Sequence, residues 1–106
     1  VEFVLNDGQL SLLQKASSIY SLPDLCVIGD GAKISLVVKD KKNDTSNEYS
    51  IVVGETDKVF EFSYKIENIR ILPGSYEVVI SDKLISVFNH KSLNLKYYIA
   101  LEPETP

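Results

Sequence analysis

The sequence predicts an α+β fold: two βαβββ repeats, with antiparallel sheet on one side and two helices on the other. Three observations carry this. Several short stretches alternate apolar and polar residues with the two-residue period of a half-buried strand. The clearest sets Phe60, Phe62, Tyr64 and Ile66 against Glu61, Ser63 and Lys65. One early segment has helical spacing instead, with Leu10, Leu13 and Ser17 in line. The order strand, helix, strand, strand, strand occurs over residues 1–53 and again over 59–101. A chain of 106 residues holds one such domain, residues 1–106, with one modest core.

The elements follow in order. Val1–Leu5 reads as a strand, and Asn6-Asp7-Gly8 ends it. Asn6 is a good N-cap, and Gln9 stands three residues later, as in a capping box. The helix is expected from about Asp7 to Ser18. Leu10, Leu12, Leu13, Ala16, Ser17 and Tyr20 form its broad inner side, and Ser11, Gln14, Lys15 and Ser18 its polar side. Pro23 closes this region. Leu25–Ile28 and Ile34–Lys39 are strands joined by Gly29-Asp30-Gly31, residues that supply the positive φ of a tight turn. A polar connection leads to the strand Glu48–Val53, and Gly54–Asp57 turns again. After the Phe60–Ile66 strand, Glu67–Leu72 allows one or two helical turns, with Ile69 and Leu72 inward and Asn68 and Arg70 outward. Pro73-Gly74 stops them. Tyr76–Ile80, Leu84–Asn89 and Leu93–Leu101 complete the strands. The last places Leu93, Leu95, Tyr97, Ile99 and Leu101 on one face and Asn94, Lys96, Tyr98 and Ala100 on the other.

Composition narrows the function classes. The formal net charge is −4, which argues against a DNA binder that relies on total positive charge but leaves room for a local basic face. No apolar run approaches the ~20 residues of a membrane span, and no stretch reads as a signal peptide. The single Cys, Cys26, sits in an apolar strand and reads as a buried thiol in a reducing compartment. His90 is the only His, so a zinc site lacks its ligands. Glu55, Asp57, Glu61 and Glu67 do not converge as a general acid/base pair would. Neither a cofactor nor catalysis is expected. The lack of Met, even at position 1, leads us to expect one domain of a longer protein.

Two stretches resemble a known family. Leu95-Lys96-Tyr97-Tyr98-Ile99-Ala100 is similar to the C-terminal strand of proliferating cell nuclear antigen. The Tyr97…Ala100-Leu101-Glu102 ending resembles the sliding clamps of T-even-type bacteriophages still more closely. Ile69-Arg70-Ile71-Leu72-Pro73-Gly74-Ser75-Tyr76 resembles the short helix, Pro-Gly stop and following strand of those clamps. The order of elements matches from Val1 to Glu104. The resemblance implies a non-catalytic DNA polymerase processivity factor, with this chain as the C-terminal clamp domain and the N-terminal clamp domain absent from it. It further implies a homotrimeric ring around duplex DNA, held without sequence specificity, in the cytoplasm of a phage-infected bacterial cell. The implied protein partners are a polymerase and a clamp loader. The competing reading is a stand-alone α+β protein-interaction domain without DNA contact.

On the resemblance, Lys15 and Arg70 face DNA phosphates inside the ring, with Gln14, Ser11 and Asn68 adding polar contacts. Phosphate contacts need long cationic side chains rather than base-reading geometry. The plainer reading makes Lys15 and Arg70 ordinary solvated charges. The partner-peptide pocket falls on Tyr98, Ala100, Leu101 and Pro103, with Asp82 at its rim; the plainer reading packs Tyr98 into the core. The strand Glu48, Tyr49, Ser50, Ile51, Val52 and Val53 is the expected subunit interface, because an exposed strand edge needs cover or a partner.

Overall fold

The computed structural model describes residues 1–40, 42–43, 47–69, 71–81 and 84–102. The elements are β1 (Glu2–Leu5), α1 (Asp7–Tyr20), β2 (Asp24–Asp30), β3 (Lys33–Lys39), β4 (Tyr49–Glu55), β5 (Val59–Lys65), a 3-10 turn (Ile66–Ile69), β6 (Tyr76–Ile80), β7 (Ile85–His90) and β8 (Lys96–Ala100). They form a mixed α/β fold with two antiparallel four-stranded sheets, ordered β1-β6-β7-β8 and β4-β3-β2-β5.

Each sheet takes three consecutive strands and borrows a fourth. β1 pairs with β6, and β5 pairs with β2. The leading strand of each strand–helix–strand–strand–strand run thus lies in the other run's sheet, so neither run can complete a sheet alone. One core unites the two sheets. Leu25, Val27, Leu36, Val38 and Tyr64 come from one sheet, and Phe3, Leu5, Tyr76, Val78, Phe88 and Ile99 from the other. Phe88 stands edge-on to both Tyr64 and Tyr76, with ring centroids 6.0 and 6.2 Å away.

Helix α1 starts as its sequence requires. Gln9 N–H donates to Asn6 Oδ1 at 2.8 Å, and Asn6 N–H donates to Gln9 Oε1 at 3.0 Å. Its end is closed by Ser21 in the left-handed conformation, φ 53°. There the Ser17 hydroxyl donates to Leu22 O at 2.7 Å. Past β8, the chain binds the edge of β5. Glu102 N–H donates to Ser63 O at 2.8 Å. Lys65 Nζ lies 3.2 Å from Glu102 Oε1 and 3.3 Å from Asp24 Oδ1. Glu102 first, then Asp24, holds the Lys65 ammonium above its usual range.

Several expectations need correction. Leu12 and Tyr20 are exposed rather than inward, because α1 buries only the stripe Leu10, Leu13 and Ser17. The second helix is a single 3-10 turn among the described residues, and Leu72 is exposed beyond it. Gly29 is no turn residue. It lies inside β2, where the Phe60 ring covers it so closely that an added Cβ would clash with the ring. The turn is made by Gly31, φ +89°, with Asp30 Oδ1 accepting from the N–H groups of Ala32 and Lys33. Those donors, Lys33 first, hold the Asp30 carboxyl below the usual carboxylate range. The last strand is shorter than expected: it starts at Lys96, and Leu93 is exposed in the preceding turn. His90 ends β7, where its Nδ1 accepts from Ser92 and Leu93 N–H and its Nε2 bonds to Pro73 O.

Candidate functional site

The outward face of the sheet β1-β6-β7-β8 carries an apolar row beside a polar one made by Lys96, Asn89 and Glu77, which pair in turn across β8, β7 and β6. Pairing register decides which side chains share that face, because directly paired residues point to the same side. Tyr98 pairs with Val87, Val87 with Val79, and Val79 with Glu2. Ala100 pairs with Ile85 alongside. Tyr98 is 67% exposed, and Val79, Ile85 and Ala100 are exposed as well. The row has been pushed outward by a filled interior. Their strand neighbours Val78, Phe88 and Ile99 occupy the core side, and alternation leaves the next residue no other direction.

Tyr98 is therefore not a core residue, and Ala100 lies on its face. Leu101 is buried and points the other way, with its N–H donating to Leu84 O at 3.0 Å. Asp82 and Pro103 lie outside the described residues. Val79, Val87 and Ile85 share the outward side with Tyr98 and Ala100. The sequence signal for these three was present but incomplete. Each is an apolar residue at an outward position, and only the register aligns them with Tyr98.

Beneath this face, polar contacts fix the inner side of β8. Tyr97 Oη accepts from Leu72 N–H at 3.3 Å, and Tyr76 donates its hydroxyl to Leu72 O at 2.6 Å. Burial first, then Tyr97, raises the pKa of Tyr76. The Ser86 hydroxyl donates to Ile99 O at 2.7 Å. The backbone that carries Tyr98 is thus held from below at several points, which a docking surface requires.

The strand β4 stands at one end of its sheet, paired along one side with β3. Tyr49, Ile51 and Val53 lean against the core. Ser50 and Val52 face outward, Val52 with 53% of its surface exposed, and Glu48 is exposed just before the strand. Among the described residues, no strand lies beside its second edge. Leu12, Ile19 and Tyr20 of α1 are also exposed, so this helix carries an uncovered apolar face.

On α1, Lys15 and Ser11 are exposed and Asn68 is exposed on the 3-10 turn, while Arg70 lies outside the described residues. Gln14 is half-buried, and its Nε2 donates to Ile69 O at 2.8 Å, tying α1 to the turn. That amide is committed to the fold. A depression of about 590 Å³ lies next to it, lined by Gln14, Ser17, Ser18, Ser21, Leu22, Pro23 and Ile66. Among the described residues, no group of three or more His, Cys, Asp or Glu could hold a metal ion. Cys26 is fully buried, with Sγ 3.4 Å from the Ser63 hydroxyl. No helix is long and apolar enough to cross a membrane among the described residues.

Comparison with known proteins completes the picture. Residues 2–103 match the family model described as gp45 sliding clamp, C terminal. The chain is 34% identical over 105 residues to a curated protein named "Sliding clamp" from Vibrio phage KVP40, covering 95% of this chain and 47% of that protein. The chain therefore spans about half the length of this relative. Its fold is similar to the DNA polymerase III subunit beta DnaN sliding clamp of Bartonella birtlesii, with a TM-score of 0.63 at 10% identity. That likeness covers 97% of this chain and 30% of the other.

Proposed function

This chain belongs to the gp45 sliding-clamp family, matching its C-terminal domain, and from that premise we propose that it is a non-catalytic part of a DNA polymerase processivity factor. The observation that carries the reading is the outward apolar row Tyr98, Val87 and Val79 on a sheet rigidly held from behind. Such a face suits the anchor side chain of a short hydrophobic segment from a polymerase or clamp loader. The clamp tethers that partner to the template.

The rest of the mechanism is mechanical. A second, N-terminal clamp domain completes the subunit, in keeping with the share of the relative that this chain spans. Three subunits close a ring, and the edge of β4, Glu48 to Val53, pairs with a neighbouring subunit. Duplex DNA passes through the ring beside α1, where Lys15 and Arg70 meet phosphates without reading bases. Ser11 and Asn68, both exposed, add polar contacts to the DNA, and Gln14 supports them by holding α1 to the 3-10 turn. Encirclement needs no large positive charge, so a net charge of −4 is no obstacle.

The test separates DNA from partner. Lys15→Ala with Arg70→Ala, made in the complete clamp, lowers clamp-dependent processivity in primer extension and leaves the affinity for a hydrophobic polymerase-tail peptide unchanged. Unchanged processivity removes these cations from the DNA path. Loss of peptide binding instead favours an interaction domain without DNA contact.

A further inference from the structure

We propose that the partner segment bound by the outward face is basic as well as apolar, and that Glu2 and Glu77 receive its cation. This rests on the docking reading above and adds the chemistry of the partner.

The apolar row does not end in neutral surface. Glu2 pairs with Val79 at the β1 end of the row, and Glu77 pairs with Val4 one step along the same two strands. The two carboxylates are diagonal neighbours on the same face, a relation that places side chains about 7–8 Å apart. One ammonium or guanidinium between them reaches both. Both Glu residues are exposed, and neither has an ion-pair partner among the described residues. A depression of about 280 Å³ lies at this place, lined by Glu2, Phe3, Val4, Glu77, Val78 and Val79. Val4 and Val79 supply apolar walls for the methylene stem of a Lys or Arg, whose head then meets the carboxylates.

Spacing gives the segment its length. Tyr98 and Glu2 are three strand intervals apart in the sheet, roughly 14 Å at ~4.8 Å per interval. An extended segment crosses this in about four to five residues at ~3.3 Å each. The face therefore fits an aromatic or aliphatic anchor beside Tyr98 and a cation four or five residues away. An acidic residue at that place would meet two unneutralised carboxylates and be rejected.

Two fluorescently labelled probe peptides test this by anisotropy. Both carry the same apolar residues around one Phe; one has Lys four and five residues from the Phe on both sides, the other has Glu at those positions. The lysine probe is expected to bind about 10-fold tighter in 50 mM salt, with the difference shrinking in 0.5 M salt. Glu2→Lys with Glu77→Lys is expected to invert the preference; circular dichroism checks that this variant keeps its fold. Equal affinities for the two probes, with binding still lost in Tyr98→Ala, overturn the inference and leave the docking face standing. Failure of both probes to bind the unaltered chain overturns the docking face and the inference together.

Discussion

Replacing Tyr98 with Ala separates the proposed docking face from the fold that carries it. Tyr98 leaves 67% of its surface in water. An aromatic side chain buries about 150–250 Å² when fully covered, so a partner that covers Tyr98 removes about 100–170 Å² more. At ~25 cal/mol per Å² this is roughly 2.5–4 kcal/mol. Part is lost to ordering at the interface, which leaves about 2–3 kcal/mol, or a 30- to 150-fold weaker Kd. The fold loses much less, because the contact given up is the exposed cross-strand pair with Val87, worth under about 1 kcal/mol. Anisotropy titration of a labelled hydrophobic peptide, beside a urea melt of the same variant, reads both quantities. A Kd unchanged within threefold refutes the assignment of Tyr98 to the docking face. A collapse of the urea midpoint refutes the claim that Tyr98 is dispensable to the fold.

Two further predictions concern the platform. Burial pushes the Tyr64 hydroxyl from 10.0 up to about 12, against the lowering effect of the nearby Ser86 hydroxyl; that hydroxyl donates to Ile99 O instead, which leaves the Tyr64 hydroxyl with no hydrogen-bond partner among the described residues. Above pH 10 the unfolded chain releases this proton while the fold retains it, so stability falls from pH 10 to about 12, by roughly 2–3 kcal/mol. Tyr64→Phe abolishes that part of the alkaline loss in urea melts and is neutral or stabilising at pH 7; a large loss at pH 7 would show that the hydroxyl is bonded. Gly29→Ala forces a Cβ against the Phe60 ring and is expected to cost about 1–3 kcal/mol in urea unfolding. A cost below 0.5 kcal/mol would mean that Phe60 moves freely.

Local features of this fold are written in local sequence. The capping box of α1 needs only Asn6 and Gln9, and the alternation in β5 and β8 needs only neighbours two apart. The orientation of Tyr98 followed from that alternation alone. Partnerships across the chain were harder to read. That β1 joins β6 and β5 joins β2 depends on how two incomplete sheets share one core, which no local period records. Gly29 read as a turn residue because Gly-Asp-Gly is turn chemistry, yet its lack of a side chain serves Phe60 on the paired strand. Leu12 and Tyr20 read as inward because α1 has more apolar residues than its buried stripe can take. Ile19 lies exposed with them. The proposed docking face is half legible in the sequence. Tyr98 and Ala100 stand out in the last strand, whereas Val79, Val87 and Ile85 join them only through the register of β6, β7 and β8.

The central claim is that this clamp domain holds its partner on the outward face of the β1-β6-β7-β8 sheet. Its most direct test is residue-by-residue mapping of a hydrophobic polymerase-tail peptide onto the isotopically labelled chain by NMR. The account predicts saturable shifts at Val79, Ile85, Val87, Tyr98 and Ala100, with Lys15 and Ser11 on α1 unmoved. Shifts confined to α1 and the 3-10 turn, with that sheet silent, would contradict it.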